Sequence, residues 1–371
     1  MPPRHTHPVM SQLQRPQLQR PQLQRPQLQR AHSSRTQTRS LGAIILGSLL
    51  SLAFCTSLAA AERASTPGKI LLIYLDTTSG NGDLYAIDAV NPEAQPQRVT
   101  NSELAEGAPR WDAAGQRVVF ARSGPDDEPQ RFLVPLTGDS PQESKSSEGA
   151  LLINPAGDEV PSWAPVVSPK GFAIAYSAVV GDNADLYLAQ GDGTSPKRLT
   201  EHPGRDIQPV FSPDGSLLAF TSDRSGNSEV WVLDPWDPES EAVNVTSHPA
   251  QEGHPAWFPD GEHLLVYSSR SGGADLYRVA LPAALRSDAS SPEPKRDEEA
   301  LALTVGDDLE LLGSISPDGR WLAFGSSRGG DWNLWLQELG TDGAPQGQAR
   351  ALTSSKGFQG DPHWIPASAL R

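Results

Sequence analysis

Cysteine is nearly absent: the chain of 371 residues has one, Cys55. No internal disulfide can form, so a small secreted fold held together by disulfides is excluded and stability has to come from burial. About 310 residues follow the leader described below, enough to build a sizeable core. Positive charge is also scarce, with 30 Lys and Arg against 45 Asp and Glu and a formal charge of −15. What little there is lies unevenly. Residues 1–61 contain seven arginines and no acid, so residues 62–371 alone carry −22. Nucleic acid and anionic membrane surfaces would be repelled from such a domain over roughly a Debye length of about 10 Å. Cationic or polar partners are favoured instead. Apolar periodicity is missing from residues 11–30, "SQLQRPQLQRPQLQRPQLQR", a polar pentad repeat that belongs outside any fold.

What is present begins with one long uncharged run, "LGAIILGSLLSLAFCTSLAAA", preceded by Arg35 and Arg39 and ending with Ala59 and Ala61 in A-x-A spacing before Glu62. This is the pattern of a secretory signal cleaved after Ala61. An uncleaved anchor is the alternative, because the run approaches the roughly 20 residues that a spanning helix needs. Lipidation at Cys55 is disfavoured by the bulky Phe54 before it. The expected division is therefore 1–61, low-complexity segment plus signal or signal anchor, and 62–371, one domain that is periplasmic or secreted.

That domain repeats itself. "FSPDGSLLAFTSDRSGNSEVWVLD" from Phe211 returns as "WFPDGEHLLVYSSRSGGADLYRVA" from Trp257 and "ISPDGRWLAFGSSRGGDWNLWLQE" from Ile315, with a degenerate copy, "SPKGFAIAYS", from Ser168. In each, an aromatic residue stands 18 positions after the turn proline: Tyr187, Trp231, Tyr277 and Trp335. Proline fixes φ, serine bonds back to the backbone and glycine closes a type I turn. A short apolar strand, a polar Ser/Arg/Gly loop and a third strand follow. The third strand has an acid or amide, an aliphatic and an aromatic in turn: "DLY" at 83, 185 and 275, "EVW" at 229 and "NLW" at 333. A fourth short strand ends in Thr at "RVT", "RLT", "NVT" and two "ALT" segments. First strands at Trp111, Trp163, Phe211, Trp257, Ile315 and Trp364 number six. The last stands at the C-terminus with no room for a blade, and "KILLIY" at the domain's start has no first strand before it. Pairing the two removes open sheet edges. The expected fold is all-β: a six-bladed β-propeller of four-stranded blades, closed by pairing of the C-terminal strand with N-terminal strands. "RFLVP" stands in the third-strand place of the second blade, and 137–158 and 282–299 read as polar loop insertions.

These PDG-turn repeats with "SDRSGN"-type loops resemble the C-terminal propeller of TolB, the periplasmic protein of the Tol-Pal envelope system, over about residues 68–366. The space between Glu62 and Lys69 has no counterpart of the α/β domain that precedes the propeller in TolB. The resemblance implies a non-catalytic scaffold in the cell envelope that binds a protein partner, and a monomer is expected.

Loops between blades should reach a channel mouth. Counting three residues back from Pro109, Pro161, Pro209, Pro255, Ser314 and Pro362 gives Glu106, Asp158, Asp206, Glu252, Leu311 and Gln359, with Glu159, His254 and Asp361 close by. An acidic mouth would bind a basic or polar segment, or a divalent cation such as calcium; no dedicated metal site and no cofactor are expected. The plainer alternative is acids inherited with the repeat and used in local turns. The rival function is a secreted hydrolase or lyase acting on polysaccharide or peptide through channel carboxylates or a metal. No motif supports catalysis: "GSSRG" at 325 matches a nucleophile elbow in letters, but its sister copies are hairpin loops with no following helix. His202 and His248 occupy one repeat position and read as loop-shaping residues. "NVT" at 244 fits a sequon, but aligns with the other Thr-ending strands.

Overall fold

The structure is a computed structural model describing residues 71–366 except 79–81, 92, 102–104, 115, 124–128, 135–150, 153–161, 238 and 286–299. The chain divides between Arg63 and Ala64, and every described residue belongs to the second unit, Ala64–Arg371. The expected signal, its cleavage site, Asp158 and Glu159 all lie outside the described residues.

Strands follow one another in antiparallel sets. The first set is β1 (Leu71–Asp76), β2 (Asp83–Asp88) and β3 (Gln97–Arg98). The second is β4 (Glu106–Asp112), β5 (Arg117–Ser123), β6 (Pro129–Val134) and β7 (Leu151–Leu152). The third is β8 (Ser162–Val167), β9 (Ala173–Val180), β10 (Asn183–Gln190) and β11 (Lys197–Arg198). The fourth is β12 (Asp206–Phe211), β13 (Leu218–Ser222), β14 (Glu229–Leu233) and β15 (Val243–Asn244). The fifth is β16 (Glu252–Trp257), β17 (His263–Ser268), β18 (Asp275–Ala280) and β19 (Ala300–Ala302). The sixth is β20 (Glu310–Ile315), β21 (Trp321–Ser326), β22 (Asn333–Leu339) and β23 (Pro345–Ala351). The last strand, β24 (Gln359–Ile365), pairs with β1, placing Trp364 opposite Leu72. The described residues thus form six four-stranded sheets in an all-β propeller architecture, each blade a meander. Strand β4 packs on the sheet of β24 and β1, and β8, β12, β16 and β20 each pack on the sheet before. Strand β24 packs in turn on β20, β21 and β22.

The repeated letters have local causes. At the turn before β13 the Gly215 N–H donates to the Ser212 carbonyl at 2.9 Å, and Gly215 sits at φ 78°, a region open to glycine at no steric cost. The Ser212 hydroxyl accepts the Leu217 N–H at 2.9 Å and donates to Asp214 at 2.7 Å. Ser316 serves Trp321 in the same way. A Thr just past the fourth strand stitches five of the six blades: Thr100, Thr200, Thr246, Thr304 and Thr353 hydroxyls accept the N–H of Leu84, Leu186, Val230, Leu276 and Leu334 at 2.9–3.0 Å. Second strands are buried on both faces, as Leu218, Ala219 and Phe220 show, and therefore read as continuous apolar runs. Between blades, the Trp257 indole donates to the Val210 carbonyl at 3.1 Å and the Trp364 indole to the Ser314 carbonyl at 3.0 Å.

Two sequence expectations need correction. Leu151–Leu152 forms β7 inside the stretch 137–158 read as a polar insertion, because a two-residue strand has no alternation to detect. In β8 the proline equivalent to Pro209 is Pro165, not Pro161, so Val167 rather than Trp163 holds the position of Phe211. Both strands slip register around the same point, between Trp163 and Val166 and between Ile207 and Val210.

Candidate functional site

Every innermost strand carries an irregularity at its third residue. Ala108, Ala164, Gln208, His254, Leu312 and Asp361 all have left-handed backbones with φ between 49° and 58°, and none is glycine. Proline follows in five of the six, with Gly313 in the sixth. Register slips accompany them in β4, β8, β12, β16 and β20. Such bulges bend a strand and re-aim its side chains. Here all six residues line one cavity of about 460 Å³, walled by β4, β8, β12, β16, β20 and β24.

Polar groups gather on part of this wall. Arg110 of β4 donates to the Asp361 carboxylate of β24 at 2.9 Å and to the Pro109 carbonyl at 2.7 Å. A three-membered loop of hydrogen bonds fixes Gln208 and His254. The His254 N–H donates to the Thr221 hydroxyl at 3.1 Å, that hydroxyl donates to Gln208 Oε1 at 3.0 Å, and Gln208 Nε2 lies 2.9 Å from His254 Nδ1. The ring's Nε2 lies at 3.1 Å from the same amide nitrogen, and because Gln208 Oε1 is taken by Thr221 the amide is the donor to a ring nitrogen without a proton, as in a neutral imidazole. Burial lowers the His254 pKa, Asp361 opposes that and Arg110 adds to it. His363, also on the wall, is pushed down to about 3 by burial and then by Arg110. The remainder is mostly apolar, with Ala164, Val166, Leu312, Phe211, Trp257 and Ile315 among its residues beside Ser212 and Ser314.

The acids expected at a channel mouth are placed differently. Glu106, Asp206, Glu252 and Gln359 each begin an innermost strand, are buried, and do not line the cavity. Arg224 pairs with Asp206 at 2.6 Å while lying over Phe220 and Trp231; Arg270 pairs with Glu252 over Tyr277. Gln359 donates to Asp76 at 2.5 Å. In β20 the equivalent position is Glu310, one residue before the expected Leu311, and it pairs with Arg328. Counting from Ser314 missed it, because Gly313 stands where the other strands have proline. Ser162, not Asp158, holds the position in β8. Acid and arginine lie 18 residues apart in all three ion pairs, a signal that could have been read from the repeats. Of the expected binding residues, His254 and Asp361 face the cavity; Arg110, Gln208 and His363 went unread because no shared residue type marks them. Among the described residues, no group of three or more His, Cys, Asp or Glu is placed to hold a metal ion.

With the geometry in view, comparison with known proteins is informative. Residues 154–244 match the TolB beta propeller domain family. The chain carries a TolB-like β-propeller. A TolB homolog of Chlorobium luteolum is 48% identical over 50 residues, 14% of this chain and 12% of that protein. The Tol-Pal system protein TolB of Desulfosudis oleivorans is 27% identical over 150 residues, 38% of this chain and 30% of that one. The matched stretches thus span less than a third of either curated relative. The crystal structure of TolB from Acinetobacter baumannii superposes on the TolB-like propeller with a TM-score of 0.62 at 20% identity, covering 82% of this chain and 69% of that one. At that identity the likeness concerns the fold.

Proposed function

We propose that the six sheets close into one ring and that this TolB-like propeller is an exported, periplasmic, non-catalytic scaffold. Its central cavity takes a polar or basic extended segment of a protein partner. The observation that carries this reading is the cavity itself, where six strained residues at one level aim Gln208, His254 and Asp361 inward beside Arg110. Strained backbone at one repeat position is retained where surrounding structure over-determines it, and such strain concentrates at ligand clamps. The mixed wall suits a peptide: an ion pair and a neutral imidazole meet backbone amides, and the apolar wall meets side chains. Because buried Asp206, Glu252 and Glu310 are each matched by an arginine, attraction for basic segments comes from the net charge of the whole domain rather than from a carboxylate collar.

Crosslinking of the protein in envelope preparations, with mass-spectrometric mapping of the linked sites, tests this. A partner segment linked to residues around the cavity, and lost from the paired Arg110→Gln, Asp361→Asn variant at unchanged thermal stability, is the expected result. Crosslinks confined to the outer strands would refute it.

A further inference from the structure

Two exposed aromatic residues stand together beside the turns that precede β9 and β13. Phe172 is 53% exposed and Trp236 40%, with ring centroids 4.9 Å apart. They belong to adjacent blades, Phe172 following the turn of the third and Trp236 following β14 of the fourth. A groove of about 440 Å³ lies alongside the pair, lined also by Ser168, Pro169, Lys170, Asp214 and Ser216. Exposed aromatic pairs rimmed by polar groups mark contact surfaces, since leaving them in water is unfavourable.

Trp236 is held in place. Its indole N–H donates to the Gly215 carbonyl at 2.8 Å, its backbone N–H to Asp234 at 2.8 Å, and one ring face stacks at 11° on the buried Phe211. A ring fixed beforehand loses little entropy when a ligand arrives. With the indole N–H already engaged, the shelf offers a visitor ring surface rather than a donor. Beside it Asp214 accepts from the Ser212 and Ser216 hydroxyls and the Ser216 N–H, which holds it ionised. Lys170 lies at the groove's other side and supplies an ammonium donor. Pro169 lines this groove and the central cavity alike and so stands between the two.

We infer that the Phe172–Trp236 groove is a second binding site, which takes a proline-rich, arginine-bearing segment in polyproline II conformation. Such segments dock on aromatic-lined grooves because their backbone is already extended and pays little to be ordered. Proline packs flat on the two rings. An arginine neighbour reaches Asp214, in keeping with the excess negative charge of residues 62–371. Lys170 donates to carbonyl groups of the bound backbone. The assignment of this groove does not depend on the cavity reading given above.

Fluorescence anisotropy with a labelled peptide of four Arg-Pro-Pro repeats, titrated with the purified protein, tests the assignment. Trp236→Ala and Phe172→Ala should each weaken binding about tenfold, the loss of a stacking contact of about 1.4 kcal/mol. Asp214→Asn should weaken it less and reduce its salt dependence, and Trp236→Phe should recover part of the affinity if the folded state is intact. A peptide of four Arg-Ser-Gly repeats, equal in charge, should bind at least about tenfold more weakly. Equal binding of the two peptides, equal binding by wild type and both ring variants, or displacement by a neutral chito-oligosaccharide would each overturn the proposal. The Arg110→Gln, Asp361→Asn variant separates the two readings. It should lose the envelope partner and keep the labelled peptide, whereas groove variants should lose the peptide whatever becomes of the cavity.

Discussion

His363 shows how a single residue ties the cavity to pH. Its folded-state pKa of about 3 lies well below the ordinary histidine value of 6.5. As pH falls below about 6.5 the unfolded chain takes up this proton and the folded site refuses it, so stability drops through the window down to about 3, by at most about 1.4 kcal/mol per pH unit. His254 is shifted in the same direction by burial. His363→Gln should therefore flatten the acid limb of a urea-denaturation series measured between pH 7 and 4. An unchanged slope would mean that the ring is protonated in place. No motif announces His363; its neutrality follows from the company of Arg110 and the walls of the cavity.

At the scale of elements, the hairpin loop and the innermost strand of a blade are joined by a buried ion pair, of which Asp206 with Arg224 is the example. Asp206 is fully buried and the Arg224 side chain is 14% exposed. Removing one partner leaves a charge without compensation, so Arg224→Ala should cost about 3–5 kcal/mol in chemical denaturation. The double change Asp206→Asn with Arg224→Met should cost markedly less, since neither charge is then stranded. A single variant no worse than the double would show that water reaches Asp206. The hairpins and the Thr-ending strands were legible in the sequence because turn chemistry and alternation are local. The acids were legible as residues but not in their role, because only the folded hairpin shows each one buried against the arginine 18 positions on, a spacing the repeats carry but whose contact they do not show.

For the whole molecule, β24 supplies the innermost strand of the first blade from the far end of the chain, opposite Leu72 and Ile73. Deleting residues 359–371 uncovers the edge of β1 together with Leu72 and Tyr74, both fully buried. The loss should consume most of the about 5–15 kcal/mol that holds a typical domain folded, and an open edge invites association. Aggregation on size-exclusion chromatography and loss of a cooperative melt are expected. A cooperative transition lowered by only a few degrees would show the remaining blades to be self-sufficient.

The sequence by itself determined the blade: turns, strand order and the Thr-ending segments follow from short-range chemistry repeated with a period, and the two leftover strands of the domain pointed to the pairing of β24 with β1. It did not determine which residues line the cavity. Ala108, Ala164, Gln208, His254, Leu312 and Asp361 share no residue type, only a backbone conformation. That conformation, and the cavity it lines, come from how neighbouring sheets pack, because convergence of six distant segments is a property of tertiary structure and leaves no local pattern to read.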